Sequence, residues 1–277
     1  MPMLFLLLSC TSETKTSEDL LCNGFEEICS KRVDQALFPA THNSMSSAED
    51  EWGFPNQNLN ISSQLQDGIR GLNLDTYLVN EEAMLYHGFA SLGAMPLVDG
   101  LSIIEDFLTK HPRNVILITF QSALSAEHTM AAFEDAQLGQ RLYHYELGEE
   151  WPTLEFLIAQ EKQVIAFTSN GGGTMDGYLE QWVHWVDNPY EAESIEDFSC
   201  TIDRGDAQTA TLFNVNHFIT APVASEENSQ TANQYNVLKD HVLDCWEQTG
   251  RFPNQLLVDF YDQGAVLKIS EEINLGL

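Results

Sequence analysis

Positive charge is what this chain has least of: 12 Lys and Arg stand against 42 Asp and Glu in 277 residues, a formal charge of −30. That balance excludes a nucleic-acid backbone or a strongly anionic membrane as a tight partner, because affinity for either grows with the phosphates that basic side chains neutralise. Long apolar runs are missing as well. The one at the start, "MPMLFLLLSC", is too short to span a bilayer. There is no internal repeat, and no low-complexity segment beyond this N-terminal stretch. Cysteine is scarce, with five residues and no Cys-x-x-Cys pair, and only His241 lies near one in sequence, which argues against a zinc site. What the chain does have is 43% hydrophobic content, enough at this length to bury one large core.

The tetrad Leu7-Leu8-Ser9-Cys10 resembles a bacterial lipobox, in which Cys10 becomes the lipidated first residue of the mature chain. Residues 1–20 are therefore expected to be a signal and tether, and residues 21–277 one folded domain. The expected location is the cell envelope, at the outer membrane or facing the periplasm. Without Cys10, four cysteines remain: Cys22, Cys29, Cys200 and Cys245. An even number in an exported chain points to two disulfides. The short spacing in "CNGFEEIC" favours Cys22 with Cys29, which leaves Cys200 with Cys245.

Short apolar runs alternate with helical patterns, the signal given by parallel strands buried on both faces. Strands are predicted at residues 36–40, 71–77, 83–86, 115–120, 164–168, 211–215 and 256–260, with an eighth in the irregular region after Trp182. Helices are predicted for "PLVDGLSIIEDFLTKHP" and "TANQYNVLKDHVLDCWEQTG". This alternation predicts an α/β fold of the β/α-barrel type, whose chemistry gathers at the carboxyl ends of the strands. Those ends carry His42, Asn43, Asp75, His87, Gln121, Asn170, Asn216, His217 and Asp259. A lone polar residue closing a strand is usually only a hydrogen-bonding group, but two histidines and two carboxylates on equivalent ends point to one site. "SNGGGTMDG" lacks the Gly-Lys-Ser/Thr ending of a phosphate loop and reads as a rim loop. Of Trp182, Trp185 and Tyr190, a potential lipid-facing patch, at least two are expected in the core.

"THNSM", "GIRGLNLDTY" and "YHG" together resemble the core signature of the phosphatidylinositol-specific phospholipase C X-domain family. The pattern is most similar to the plant- and fungal-type PLC-like phosphodiesterases. It continues through "LCNGFEEIC", "HPRNVILITF", "WPTLEFLI", "QVIAFTS", "NHFIT" and "GRFPNQLLVDFYD". This resemblance implies a distorted (β/α)8 TIM-type barrel of the PLC-like phosphodiesterase superfamily, and a phosphoric diester hydrolase acting on a phosphoinositide or related lipid headgroup. It implies His42 as base and His87 as acid, with the roles exchanged when water opens a cyclic phosphate; histidine serves both ends near neutral pH. Asp259 would orient His42.

In the metal-independent bacterial branch of that family an arginine occupies the position of Asp75, and in the calcium-dependent branch an aspartate does. Asp75 and Asn43 therefore resemble metal ligands, while Asn73 and Gln121 stand where that branch usually has glutamates. Four oxygens with one formal charge imply a weak Ca2+ site, or one for another divalent cation, completed by substrate phosphate. In the competing reading Asp75 pairs with Arg70, and without a metal Arg70 becomes the substrate-binding cation. Other readings are a sphingomyelinase D or glycerophosphodiesterase-like activity, or a non-catalytic ligand-binding surface lipoprotein with a decayed metal site. The expected state is a monomer with a phosphodiester or phospholipid substrate, held to the membrane through its lipid anchor.

Overall fold

The computed structural model describes residues 20–220 and 223–277, so Cys10 and all but the last residue of the segment expected to be a signal and tether lie outside the described residues. Eight strands run parallel. They are β1 (Phe38–Thr41), β2 (Gly71–Val79), β5 (Ile116–Ser122), β6 (Val164–Thr168), β7 (Tyr178–Glu180), β8 (Trp185–Asp187), β9 (Leu212–Asn216) and β10 (Gln255–Val258). Their order is β7-β6-β5-β2-β1-β10-β9-β8. The sheet curls but stays open, since β7 and β8, its two ends, share no ladder among the described residues. Helices α1 (Ile61–Asp67), α2 (Leu97–Lys110), α3 (Ala126–Asp135), α4 (Leu154–Ala159), α5 (Gln181–His184), α6 (Glu226–Ala232), α7 (Tyr235–Thr249) and α8 (Val266–Leu275) complete the α/β chain. This is an open half-barrel, consistent with the distorted barrel of PLC-like phosphodiesterases.

Alternation along the strands decides which face does what. Leu72, Leu74, Ile118, Phe120, Leu256 and Val258 pack in one large core with apolar residues of α1, α2, α3 and α8. A second cluster fills the barrel interior toward the amino ends, around Phe38, Leu117, Ile165, Phe167, Trp185 and Trp151. Nearer the carboxyl ends the inward positions become polar: Asn73 and Asp75 on β2, Thr119 and Gln121 on β5, Asn214 and Asn216 on β9. Gly71 is required where β1, β2 and β10 converge, because a Cβ there would stand 2.6 Å from the Ala40 Cβ.

Two expectations change. The run at residues 83–86 is not a barrel strand: β3 (Glu82–Leu85) folds back antiparallel on β2 and pairs with the short β4 (Met95–Pro96). The region around Trp182 instead supplies two barrel strands, β7 and β8, each of three residues. Trp185 is fully buried, whereas Trp182 is half-buried and Tyr190 is exposed, so only one of the three aromatics joins the core.

Cys22 is bonded to Cys29, and Cys200 to Cys245. The second link closes a sequence separation of 45 residues and ties the segment after β8 to α7. Replacing both of its cysteines by serine should lower unfolding free energy by about 4 kcal/mol in the chain-entropy model, against about 2 kcal/mol for the shorter link. Urea titration of the two double variants measures the difference.

Beside the longer disulfide, His217 Nε2 donates to the Ala232 carbonyl (2.9 Å), so its Nδ1 accepts from His241 Nδ1 (2.8 Å). Cys200, His241 and Cys245 hold ligand atoms within 4.8 Å of one another, a set capable of binding a metal ion; here the two sulfurs are spent in the disulfide. Burial drives the two histidines down to about 3 and about 4. Below pH 6.5 the unfolded chain therefore takes up protons that the folded chain refuses. Stability should fall between pH 6.5 and 5 by up to roughly 1.4 kcal/mol per pH unit for each histidine. Urea midpoints across that range check the slope, and His241→Phe should remove about half of it.

Candidate active site

The site begins where β1 ends. His42 N donates to the Val258 carbonyl (2.9 Å), and Asn43 then turns the chain through a left-handed conformation (φ 46°), which asparagine adopts more readily than most residues. The imidazole of His42 stacks on Phe218 with ring centroids 4.0 Å apart. Its Nδ1 donates to Asp259 Oδ1 (3.0 Å), leaving Nε2 with its lone pair free to accept from Asn43 Nδ2 (3.1 Å).

Asp259 follows β10 and is 1% exposed. Asn56 Nδ2 also donates to its Oδ1 (3.0 Å), and Asn233 Nδ2 holds its backbone carbonyl (2.8 Å). The next residue, Phe260, sits at φ 43°, a costly conformation for a bulky side chain, pinned by its N–H on the Asn56 carbonyl (2.8 Å). Backbone strain is thus accepted where the carboxylate meets His42.

His87 reaches the same place by way of the hairpin. β3 pairs Leu85 with Thr76, Tyr86 stacks on Tyr77 at 4.0 Å, and His87 Nδ1 comes within 3.4 Å of Asp75 Oδ2. The adjacent Asp75 carboxylate, which favours the charged imidazolium, raises His87 above the ordinary imidazole value, against the opposing effect of burial. Asp75 is 3% exposed. Its Oδ1 has no partner, and neither does the buried Oδ1 of Asn43. Asn73 accepts the Asn43 N–H at its Oδ1 (3.3 Å) and contacts Thr119 through Nδ2 (3.4 Å). Gln121 lies beside Asp75 in the β2–β5 register and is exposed. The four sequence-selected amide and carboxylate side chains line one cavity of about 580 Å³ with His42, His87 and Asp259.

Arg70 is a correction. It precedes β2 at the amino end, donating to Asn114 Oδ1 (2.9 Å) and to the Leu65 and Ile69 carbonyls (2.7 Å each) above the Phe107 ring. It neither reaches the cavity nor pairs with Asp75, whose basic neighbour is His87. Desolvation lowers Arg70 to about 10. Asn170 and His217 also lie outside the lining.

The basic residue that sequence reasoning missed is Arg204, the one Lys or Arg among the described residues of the lining. Its guanidinium forks onto Asp187, with Nε 3.2 and 3.1 Å from the two carboxylate oxygens, and lies over the rings of Trp182 (4.6 Å) and Tyr190 (4.3 Å). Asn216 Nδ2 donates to the same carboxylate (3.1 Å). Burial pushes the Asp187 carboxyl up, and the arginine pulls it down. Asn56 was missed as well. Neither carries a local signal, since each acts on a residue distant in sequence.

Comparison with known proteins agrees with this architecture. A PI-PLC domain-containing protein of Arabidopsis thaliana is 27% identical over 96% of this chain and 66% of its own length. From Arthroderma benhamiae, an uncharacterized secreted protein is 26% identical (91% of this chain, 64% of that one), and a PI-PLC X domain-containing protein 1 is 26% identical (95% and 92%). The chain thus spans about two thirds of the length of the first two. The phosphatidylinositol-specific phospholipase C of Staphylococcus aureus shares the fold at 14% identity, covering 89% of this chain and 94% of that one with a TM-score of 0.58. These plant and fungal relatives support the plant- and fungal-type branch. The model of the family described as PI-PLC X 1 matches residues 28–274, and the chain belongs to that family of phospholipase C-like hydrolases.

Proposed function

We propose that the chain is a phosphoric diester hydrolase that cleaves a lipid-type phosphodiester by paired histidine catalysis. The observation that carries this reading is the presence of two histidine–carboxylate pairs, His42–Asp259 and His87–Asp75, on one cavity. Asp259 holds the proton of His42 on Nδ1, so Nε2 is the basic nitrogen once substrate displaces the Asn43 amide. Nε2 takes the proton of the attacking hydroxyl. His87, whose protonated form the neighbouring Asp75 favours, gives one to the leaving oxygen. A cyclic phosphate so formed is opened by water with the two roles exchanged. Arg204, oriented by Asp187 and two aromatic faces, supplies a fixed positive charge to the headgroup.

Divalent-cation binding fits the all-oxygen donor set, and two of its atoms, Asn43 Oδ1 and Asp75 Oδ1, are buried acceptors with no hydrogen bond. Asn43, Asn73, Asp75 and Gln121 would hold Ca2+ or a similar ion, with a single formal charge and correspondingly weak affinity. When bound, such an ion neutralises phosphate charge. Purified protein assayed on inositol, choline and glycerol phosphodiesters, with calcium and with chelator, tests the reading. Turnover of at least one is expected, and failure on all of them in calcium overturns it.

A further inference from the structure

A second cavity, of about 380 Å³, lies at the amino end of the barrel and shares no lining residue with the one that holds His42 and His87. Its walls come from the disulfide loop after Cys22, the start of β1, the turn from α1 to β2, and α8. Phe25, Ile28, Leu37, Phe38 and Leu267 make much of that wall apolar. The volume is in the range of small-molecule sites.

Arg70 stands in this wall with a charge that nothing offsets. It is 8% exposed, and its acceptors, Asn114 Oδ1 and the Leu65 and Ile69 carbonyls, are all neutral. They occupy Nε and Nη1, so Nη2 has no acceptor among the described residues. A buried cation is ordinarily paired, because desolvating it without a counter-charge is costly. In a chain with 42 Asp and Glu a carboxylate partner would be easy to supply, yet burial acts on Arg70 with no carboxylate opposing it. Ser270, on α8, repeats the pattern. It is 2% exposed, lines the same cavity, and its Oγ has no hydrogen-bond partner. The two lining carboxylates, Asp67 and Glu271, are exposed, and Asp67 is engaged by the Tyr261 hydroxyl (2.8 Å).

We propose that this cavity binds a small organic carboxylate with an aliphatic body, its head taken by Arg70 Nη2 and the Ser270 hydroxyl. Both groups are donors in want of an acceptor, and an ionised carboxylate offers acceptors only. The apolar walls take the hydrocarbon. A phosphate would carry a third oxygen and further charge among the same apolar side chains, which favours the carboxylate. The site stands apart from the proposed chemistry, and neither depends on the other.

Calorimetric titration of the full chain carrying Cys10→Ser, at neutral pH with octanoate as the probe, tests the site. That substitution keeps an acyl group, and the detergent it would require, away from the cavity. Octanoate is expected to bind at one site, on the order of tenfold more tightly than octanol. Ser270→Ala should weaken octanoate about fivefold while the melting temperature stays level or rises, since the hydroxyl removed has no partner in the fold. A serine that served only packing would not separate the two readouts. Arg70→Gln should weaken octanoate on the order of tenfold or more, and Arg204→Gln, in the other cavity, should leave it unchanged. If Arg70→Gln does not fold, the two readouts of Ser270→Ala decide. No binding at millimolar octanoate, octanol bound as tightly as octanoate, unchanged affinity in Ser270→Ala, or a loss confined to Arg204→Gln overturns the proposal.

Discussion

His42→Ala and His87→Ala are each expected to lower kcat on the true substrate about a hundredfold or more, equivalent to at least roughly 2.7 kcal/mol of transition-state stabilisation. The two losses should not multiply. Base and acid act in one proton relay, so the double variant should be only modestly slower than the worse single one. Folding should change little, since both side chains are partly solvent-facing, 19% and 45% exposed. Steady-state kinetics with a melting curve for each variant separates chemistry from stability. Near-parental turnover in His87→Ala removes it as the acid.

The second large effect concerns Asp75. With a cation bound by Asp75 and the neighbouring amides, chelator abolishes turnover, calcium restores it, and Asp75→Asn behaves like the chelated enzyme. Gln121→Glu adds a carboxylate beside Asp75 in the β2–β5 register and should lower the calcium concentration required, because affinity follows carboxylate count. If Asp75 serves only to favour the protonated form of His87, chelator has no effect and Gln121→Glu brings another negative charge to an acidic rim. A calcium titration of parent and Gln121→Glu distinguishes the two by sign. Full activity in chelator assigns phosphate neutralisation to Arg204, the one Lys or Arg among the described residues of the lining.

The parts of the structure legible in the sequence are those written locally. The buried parallel strands β1, β2, β5, β6, β9 and β10 announce themselves as apolar runs, with boundaries within two residues of those predicted. β7 and β8 have three residues each, too few for a period to show. The hairpin, read as a barrel strand, did carry a signal: Asn80 and Glu81, both left-handed at φ 52° and 68°, form the two-residue turn between Val79 and Glu82.

The site divides in the same way. His42 and Asp259 stand just beyond the ends of visible strands, and Asp75 lies within β2 at an inward position past the apolar stretch, so the barrel pattern brings the three to one cavity. Arg204 was illegible because its place depends on Asp187, Trp182 and Tyr190 across an irregular stretch. Arg70 was misplaced because nearness in sequence to Asp75 says nothing about the strand between them. Five residues of extended chain put the two at opposite ends of the barrel wall.

The central claim is that the two histidines on this cavity break a phosphodiester bond, and phosphorus NMR of the reaction reads that bond directly. A phosphodiester on which the chain turns over is incubated in calcium with parent protein or with His42→Ala. The account predicts that the substrate resonance gives way to a cyclic phosphate and then a phosphomonoester with the parent, and persists with the variant. Equal consumption by both proteins, or no consumption of any phosphodiester by the parent, would contradict it.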